Sequence, residues 1–170
     1  QVRAQGGRVQ LANFNAPSQI VISGELEAVR RAGDLCLEAG AKRVVPLNVA
    51  GAWHSELMEP ALASFAPYVE KARVGLPKFD IISNVDAQPY RDVVHIKENL
   101  IRSVTAEVLW HATSLRLIEA GLDLIVEFGA SPVLGPMLRR LPGAPEIASV
   151  SDHAGTLKLL AKLAAPAGRP

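Results

Sequence analysis

Arg43-Val44-Val45-Pro46-Leu47-Asn48-Val49-Ala50-Gly51-Ala52-Trp53-His54-Ser55-Glu56-Leu57-Met58 changes its periodicity halfway along. The short apolar run at residues 43–47 reads as a buried strand. After His54, the apolar residues Leu57, Met58, Leu62, Phe65 and Val69 recur at helical spacing, predicting a helix over residues 56–73. A strand feeding a helix through a short loop is the unit from which α/β proteins are built. His54 lies on that loop beside Trp53 and between the small residues Ala52 and Ser55. A histidine held between two rigid elements can work as a positioned base, because imidazole titrates near neutral pH. A loop histidine with no chemistry is the plain alternative.

Working outward, the same alternation continues. Residues 19–23 read as a strand and 25–39 as a helix, with Gly40 suited to a left-handed C-terminal cap. Pro60 fits a first helical turn, whereas Pro67 predicts a kink. Residues 79–83 read as a strand. Two helices follow at 96–104 and 109–120, separated by Thr105-Ala106-Glu107. Residues 123–128 are almost continuously apolar, as a strand covered on both faces should be. A helix at 132–141, bent at Gly135-Pro136, a strand at 146–150 and a helix at 154–165 complete the pattern. The tail at 166–170 reads as loose. Alternating strands and helices predict an α/β fold with a largely parallel sheet.

Composition bounds the function. Apolar residues make up 49% of the 170, enough for a core, and the net charge of +1 gives no general attraction to nucleic acid or membrane. No stretch approaches the roughly 20 apolar residues that span a bilayer. No secretory signal is seen, so a cytoplasmic protein is expected. Cys36 has no second cysteine to pair with and is expected on the apolar face of its helix, with Val29, Ala32 and Leu35. His95 is expected to precede and cap a helix, His111 to start one, and His153 to lie in a capping segment. Asn84 and Asp86 are expected to cap a turn. No pair of histidines has ligand spacing, so neither a metal nor another cofactor is expected.

Gly51-Ala52-Trp53-His54-Ser55 followed by Leu57-Met58 resembles the catalytic-histidine loop of malonyl-CoA:acyl carrier protein transacylases and the related acyltransferase domains. Three further stretches resemble that family in the same order. They are the Asn-rich segment from Leu11 to Gly24, the turn Ile82-Ser83-Asn84-Val85-Asp86-Ala87, and Val126-Glu127-Phe128-Gly129-Ala130-Ser131-Pro132-Val133-Leu134. In the last, Ala130 and Ser131 depart from the family's Pro-Gly. The resemblance runs from about residue 8 to residue 160. It implies that residues 1–49 form part of a ferredoxin-like small subdomain, and that residues 50–165 form the C-terminal part of an α/β-hydrolase-like core.

The resemblance also implies a chemistry. Malonyl passes from malonyl-CoA to a serine, then to the phosphopantetheine thiol of an acyl carrier protein. His54 would be general base and then general acid, oriented by the backbone carbonyl of Ser103. Asn15 and Asn13 are candidates for donating to the substrate, since amides bind a carbonyl or carboxylate without adding charge. The same residue types also satisfy the backbone of a turn such as that at Pro17. Trp53, with Ala52 before it, would line the acyl subsite; its ring would crowd a branched acyl group and so favour malonyl. The carrier is acidic, which makes Arg30, Arg31, Lys42, Arg43, Arg139 and Arg140 candidates for its docking surface.

The nucleophile is missing from this account. A nucleophilic serine needs an elbow with glycines two residues either side. The nearest match, Gly129-Ala130-Ser131-Pro132-Val133, has Val133 in place of the second glycine, and Pro132 removes a backbone N–H that an oxyanion hole would use. The family's substrate-carboxylate arginine, which follows the elbow, is absent too. The expectation is therefore the C-terminal part of a longer transacylase, or one half of a split enzyme that needs a second chain. The alternative is a fragment that folds without catalysing.

Overall fold

The computed structural model describes residues 1–164; the expected loose tail lies outside the described residues. The chain divides into two compact units, Gln1–Thr113 and Ser114–Pro170. Within the first unit, the loop carrying His54 is tied to the first strand through the side chain of Gln10.

In the first unit, β1 (Val9–Ala16) and β2 (Gln19–Gly24) form an antiparallel hairpin, with Ala16 opposite Gln19 and Val9 opposite Gly24. Pro17 and Ser18 make the two-residue turn. Helix α1 (Leu26–Glu38) packs on the hairpin, where Val2, Val9 and Ala28 are buried among Ile22, Val29, Ala32 and Leu35. Cys36 falls at the rim of that face and is exposed, contrary to expectation. Gly40 ends the helix as the sequence predicts: its φ is +98°, and Ala41 N–H returns to the Cys36 carbonyl at 2.9 Å.

Two expected strands do not form. Residues 41–50 carry no helix or strand, and Val45 and Leu47 stand about 60% exposed (60% and 58%). The propensity of residues 43–47 is real, but a strand exists only with a ladder partner, and no described segment pairs with this one. Residues 79–83 likewise reduce to a single bridge between Ile82 and Pro89, with Phe79 exposed.

The expected helix at 56–73 is a 3-10 turn at Glu56–Met58 followed by α2 (Glu59–Lys71). Pro60 sits in its first turn, and Pro67 lies inside α2 without ending it. Helix α3 (Val93–Arg102) starts earlier than expected because Asp92 caps it, its Oδ1 accepting His95 N–H at 2.7 Å. His95 therefore lies within the helix rather than before it. It is buried, and its Nε2 meets Asp86 Oδ2 at 2.7 Å. Asn99 Nδ2 donates to the same oxygen at 2.9 Å and to Ser83 Oγ at 3.1 Å. Asp86 thus caps its turn, taking Gln88 N–H at 3.1 Å, and also anchors α3. Burial acts to raise the Asp86 carboxyl. The bonds from Asn99, His95 and Gln88 outweigh it and hold the group down at about 2.

Helix α4 (Trp110–Glu119) carries the chain across the division. In the second unit, β3 (Leu124–Phe128) pairs in parallel with β4 (Glu146–Val150), from Leu124 opposite Glu146 to Phe128 opposite Val150. The parallel direction is as expected; covering on both faces is not, since β3 is half-buried and Phe128 exposed. Helix α5 (Leu134–Leu138) is shorter than the expected 132–141. Helix α6 (His153–Ala164) begins under a cap from Asp152, whose Oδ1 accepts Gly155 N–H at 2.7 Å. Among the described residues, no helix is long and apolar enough to cross a membrane.

Candidate active site

Among the described residues, His54 is one of two non-glycine residues with positive φ, at +58°. A side chain with a Cβ resists that region, at a cost of roughly 1–2 kcal/mol, so surrounding bonds must hold it there. They are present on every side. His54 N–H donates to the Val104 carbonyl at 3.2 Å. The ring's Nδ1 lies 3.0 Å from the Ala106 carbonyl, and the His54 carbonyl accepts from Gln10 Nε2 at 3.0 Å. The reversal of the chain at this residue thus aims backbone and ring at one turn, residues 104–106.

That geometry decides which nitrogen is the base. A carbonyl only accepts, so Nδ1 carries the hydrogen and Nε2 of the neutral ring keeps its lone pair. The carbonyl facing Nδ1 belongs to Ala106, not to Ser103. Ser103 directs its hydroxyl to the Leu100 carbonyl at 2.7 Å, inside the last turn of α3. The turn after α3 carries the chain three residues further before it passes under the ring.

The loop has its own brace. Ser55 is buried, donates from Oγ to the Ala52 carbonyl at 2.6 Å and accepts Leu57 N–H at 3.3 Å. Ala52 therefore contributes its backbone. Trp53 is half exposed, and its indole lies with the Met58 sulfur over Gly51, at 3.7 and 3.8 Å from where a methyl at Gly51 would sit.

β1 supports the same turn. A bulge at Ala12 interrupts its pairing with β2, and on its other edge Val108 N–H donates to the Ala12 carbonyl at 2.8 Å while Phe14 N–H donates to the Val108 carbonyl at 2.9 Å. Asn13 and Asn15 lie further along this strand, both half-buried. Neither side chain hydrogen-bonds the Pro17 turn, or any other described residue. Leu109 N–H is held by the Asn84 carbonyl at 2.8 Å, so the turn that Asp86 pins also fixes the approach to α4. His111 meets Phe14 in a tilted ring contact, centroids 5.6 Å apart and planes at 54°. The sequence reading missed Gln10 and Ser55. A polar residue next to apolar ones, Gln10 between Val9 and Leu11 and Ser55 ahead of Leu57 and Met58, was the available signal.

Two hollows of the first unit lie elsewhere. One of about 460 Å³ is lined by Val9, Leu11, Ile22, Leu35 and Cys36; another, of about 290 Å³, lies beside Asp86, Tyr90 and His95. His54 lines neither. Among the described residues, no group of three His, Cys, Asp or Glu side chains could hold a metal ion.

In the second unit, Glu127 takes Val133 N–H at 2.8 Å, Leu134 N–H at 2.7 Å and Gly135 N–H at 3.0 Å. Burial acts to raise its carboxyl. These three donors and the Ser149 hydroxyl outweigh burial and hold the group below the usual range. Three backbone donors of this loop are thus spent on Glu127, and Ser131 lies exposed beside them. Of the candidate docking cations, Arg30 pairs with Glu27 and Arg139 donates to the Ile147 carbonyl at 3.0 Å.

No family model matches the chain. Over 150 residues it is 35% identical to the malonyl CoA-acyl carrier protein transacylase of Haemophilus influenzae, matching 88% of this chain to 48% of that protein. The crystal structure of FabD from Acinetobacter baumannii superposes with a TM-score of 0.90 at 31% identity, over 95% of this chain and 52% of that one. A malonyl-transacylase solved in complex with its type II PKS acyl-carrier protein gives 0.89 at 38% identity, over 94% and 52%. The chain spans about half the length of the curated relatives it matches.

Proposed function

We propose that this chain, similar in sequence and fold to the C-terminal part of malonyl CoA-acyl carrier protein transacylases, supplies the histidine side of such an acyltransferase site. The observation that carries this reading is the bond from His54 Nδ1 to the Ala106 carbonyl, which leaves Nε2 as proton acceptor. A serine hydroxyl, weak as a nucleophile, would lose its proton to Nε2 as its oxygen attacks the malonyl thioester carbonyl. The protonated ring would then return that proton to the departing coenzyme A sulfur. The second half runs in the opposite sense: the carrier's phosphopantetheine thiol gives its proton to Nε2 and takes the malonyl group, and Nε2 returns that proton to the serine oxygen as it leaves. The neutral Ala106 carbonyl does for this ring what a carboxylate does in a Ser-His-Asp triad, fixing tautomer and direction.

The serine comes from outside these 170 residues, which hold no Gly-x-Ser-x-Gly elbow. On this reading residues 1–49 belong to the ferredoxin-like subdomain, residues 50–165 to the α/β-hydrolase-like core, and the protein works in the cytoplasm. Asn13 and Asn15, with side chains free on β1, bind substrate polar atoms. Trp53, half exposed beside Ala52, restricts the acyl group to one without an α-branch, a discrimination of about 1–3 kcal/mol. The second reading, a fragment that folds without catalysing, is favoured by the absent elbow.

The test is malonyl transfer to a phosphopantetheinylated carrier protein, followed by mass, with the chain alone and with a polypeptide carrying the elbow. Transfer should need both, and His54→Asn should remove at least about a hundredfold of it. Asparagine is the apt substitute because it tolerates positive φ. Transfer undiminished by His54→Asn would overturn the proposal. No transfer from the combined chains would favour the non-catalytic reading.

A further inference from the structure

We infer that Gln10 is the positioning residue that sets the direction of the His54 ring, a role that rests on the reading of His54 as the base. Among the described residues, Gln10 is the one side chain from outside these segments that bonds both the histidine loop and the turn beneath it. Its Nε2 donates to the His54 carbonyl at 3.0 Å and to the Thr105 carbonyl at 3.2 Å. Its Oε1 accepts Glu56 N–H at 3.0 Å. Both amide hydrogens and an oxygen lone pair are therefore in use across two segments of the chain. Only a primary amide offers two donors and an acceptor in one plane, and only glutamine of the two amide residues has this reach from β1.

The placement matters because of what else the two segments carry. Thr105 precedes Ala106, whose carbonyl holds Nδ1, and the His54 carbonyl belongs to the residue whose ring is held. The backbone bonds of Ala12 and Phe14 to Val108 fix the far end of the same turn to the same strand. β1 thus sets the acceptor through its backbone and the histidine through Gln10. Without Gln10, His54 keeps its N–H bond to Val104 but loses the tie on its carbonyl side, so the positive φ is no longer held from both ends. The ring then swings, and the hydrogen that belongs on Nδ1 redistributes between the nitrogens.

The experiment is nitrogen NMR of the histidine rings at a pH where they are neutral, with His54 assigned by its loss in His54→Asn. The variants are Gln10→Met, which keeps the length and removes the polar atoms, and Gln10→Glu, which turns an acceptor toward two carbonyls. The unsubstituted chain should show His54 with hydrogen on Nδ1. Both variants should lower the ratio of Nδ1–H to Nε2–H by at least about fivefold, the factor that one net hydrogen bond carries, and Gln10→Glu should lower it more. Folding is checked by the ring signals of His95 and His111, which Gln10 does not touch. A variant that keeps those signals and the His54 ratio overturns the proposal. So does one that loses thermal stability while the ratio stays fixed, because that is a packing role alone. Where transfer is assayed, kcat should fall with KM for malonyl-CoA unchanged. Transfer indifferent to His54→Asn would refute the base assignment instead, while the ring ratio would still report on Gln10.

Discussion

Removing the charge at Asp86 should flatten one segment of the acid stability curve. The carboxylate takes bonds from His95, Asn99 and Gln88 and is held at about 2 against an ordinary 3.8. A depressed carboxyl stabilises the fold fully above its unfolded value and loses that contribution as pH falls through the folded one, so the window runs from about pH 4 down to about pH 2. The full displacement corresponds to roughly 2 kcal/mol, reduced to about 1 kcal/mol by solvent screening, since the side chain keeps 28% of its surface. Asp86→Asn preserves shape and an acceptor for Gln88 but cannot titrate. Urea unfolding followed by tryptophan fluorescence suits the measurement, because Trp53 and Trp110 both lie in the same unit as Asp86. Above pH 4 the variant should be less stable than the unsubstituted chain. Between pH 4 and 2 the difference should shrink by about 1 kcal/mol. Two curves that stay parallel through that window would show that the bonds do not hold the charged form, and the reasoning would fail.

Ser55→Ala should cost about 1–2 kcal/mol in chemical denaturation, because it strips a buried brace from the Ala52 carbonyl and a cap from Leu57 N–H; an unchanged midpoint would mean that the loop holds its shape without the hydroxyl. Glu127→Gln should speed amide hydrogen exchange at Val133, Leu134 or Gly135, since an amide can accept at one oxygen only where the carboxylate accepts at two. In the unsubstituted chain the same amides should lose protection as pH falls through the lowered Glu127 carboxyl, and exchange with no such pH step would count against its role as their acceptor.

The candidate site was legible in part, and the reasons differ residue by residue. His54 announced itself by type and by its place between two periodic segments. Ser103 did not survive as the orienting carbonyl, because main-chain acceptors carry no side-chain signature; any of several consecutive residues could have supplied it, and Ala106 does. Gln10 and Ser55 act through bonds over 44 residues and three residues respectively. The longer of these cannot be read from local pattern. His95 was misjudged for a similar reason: its partner Asp86 lies in the turn before the helix, and burial turned an ordinary capping position into an anchor.

Local physics gave the sequence its authority over some elements. The cap at Gly40 and the start of α6 follow from interactions a few residues long, so composition and spacing suffice to place them. Residues 43–47 and 79–83 show the limit. Their apolar character is a preference for being paired, and pairing belongs to a partner elsewhere, so only the tertiary structure could say that the first stretch runs unpaired and the second makes a single bridge. The direction of the His54 ring is a decision of the same kind. It depends on a positive φ and on carbonyls from a turn some fifty residues away, 52 in the case of Ala106, brought together by a strand that neither segment adjoins in sequence.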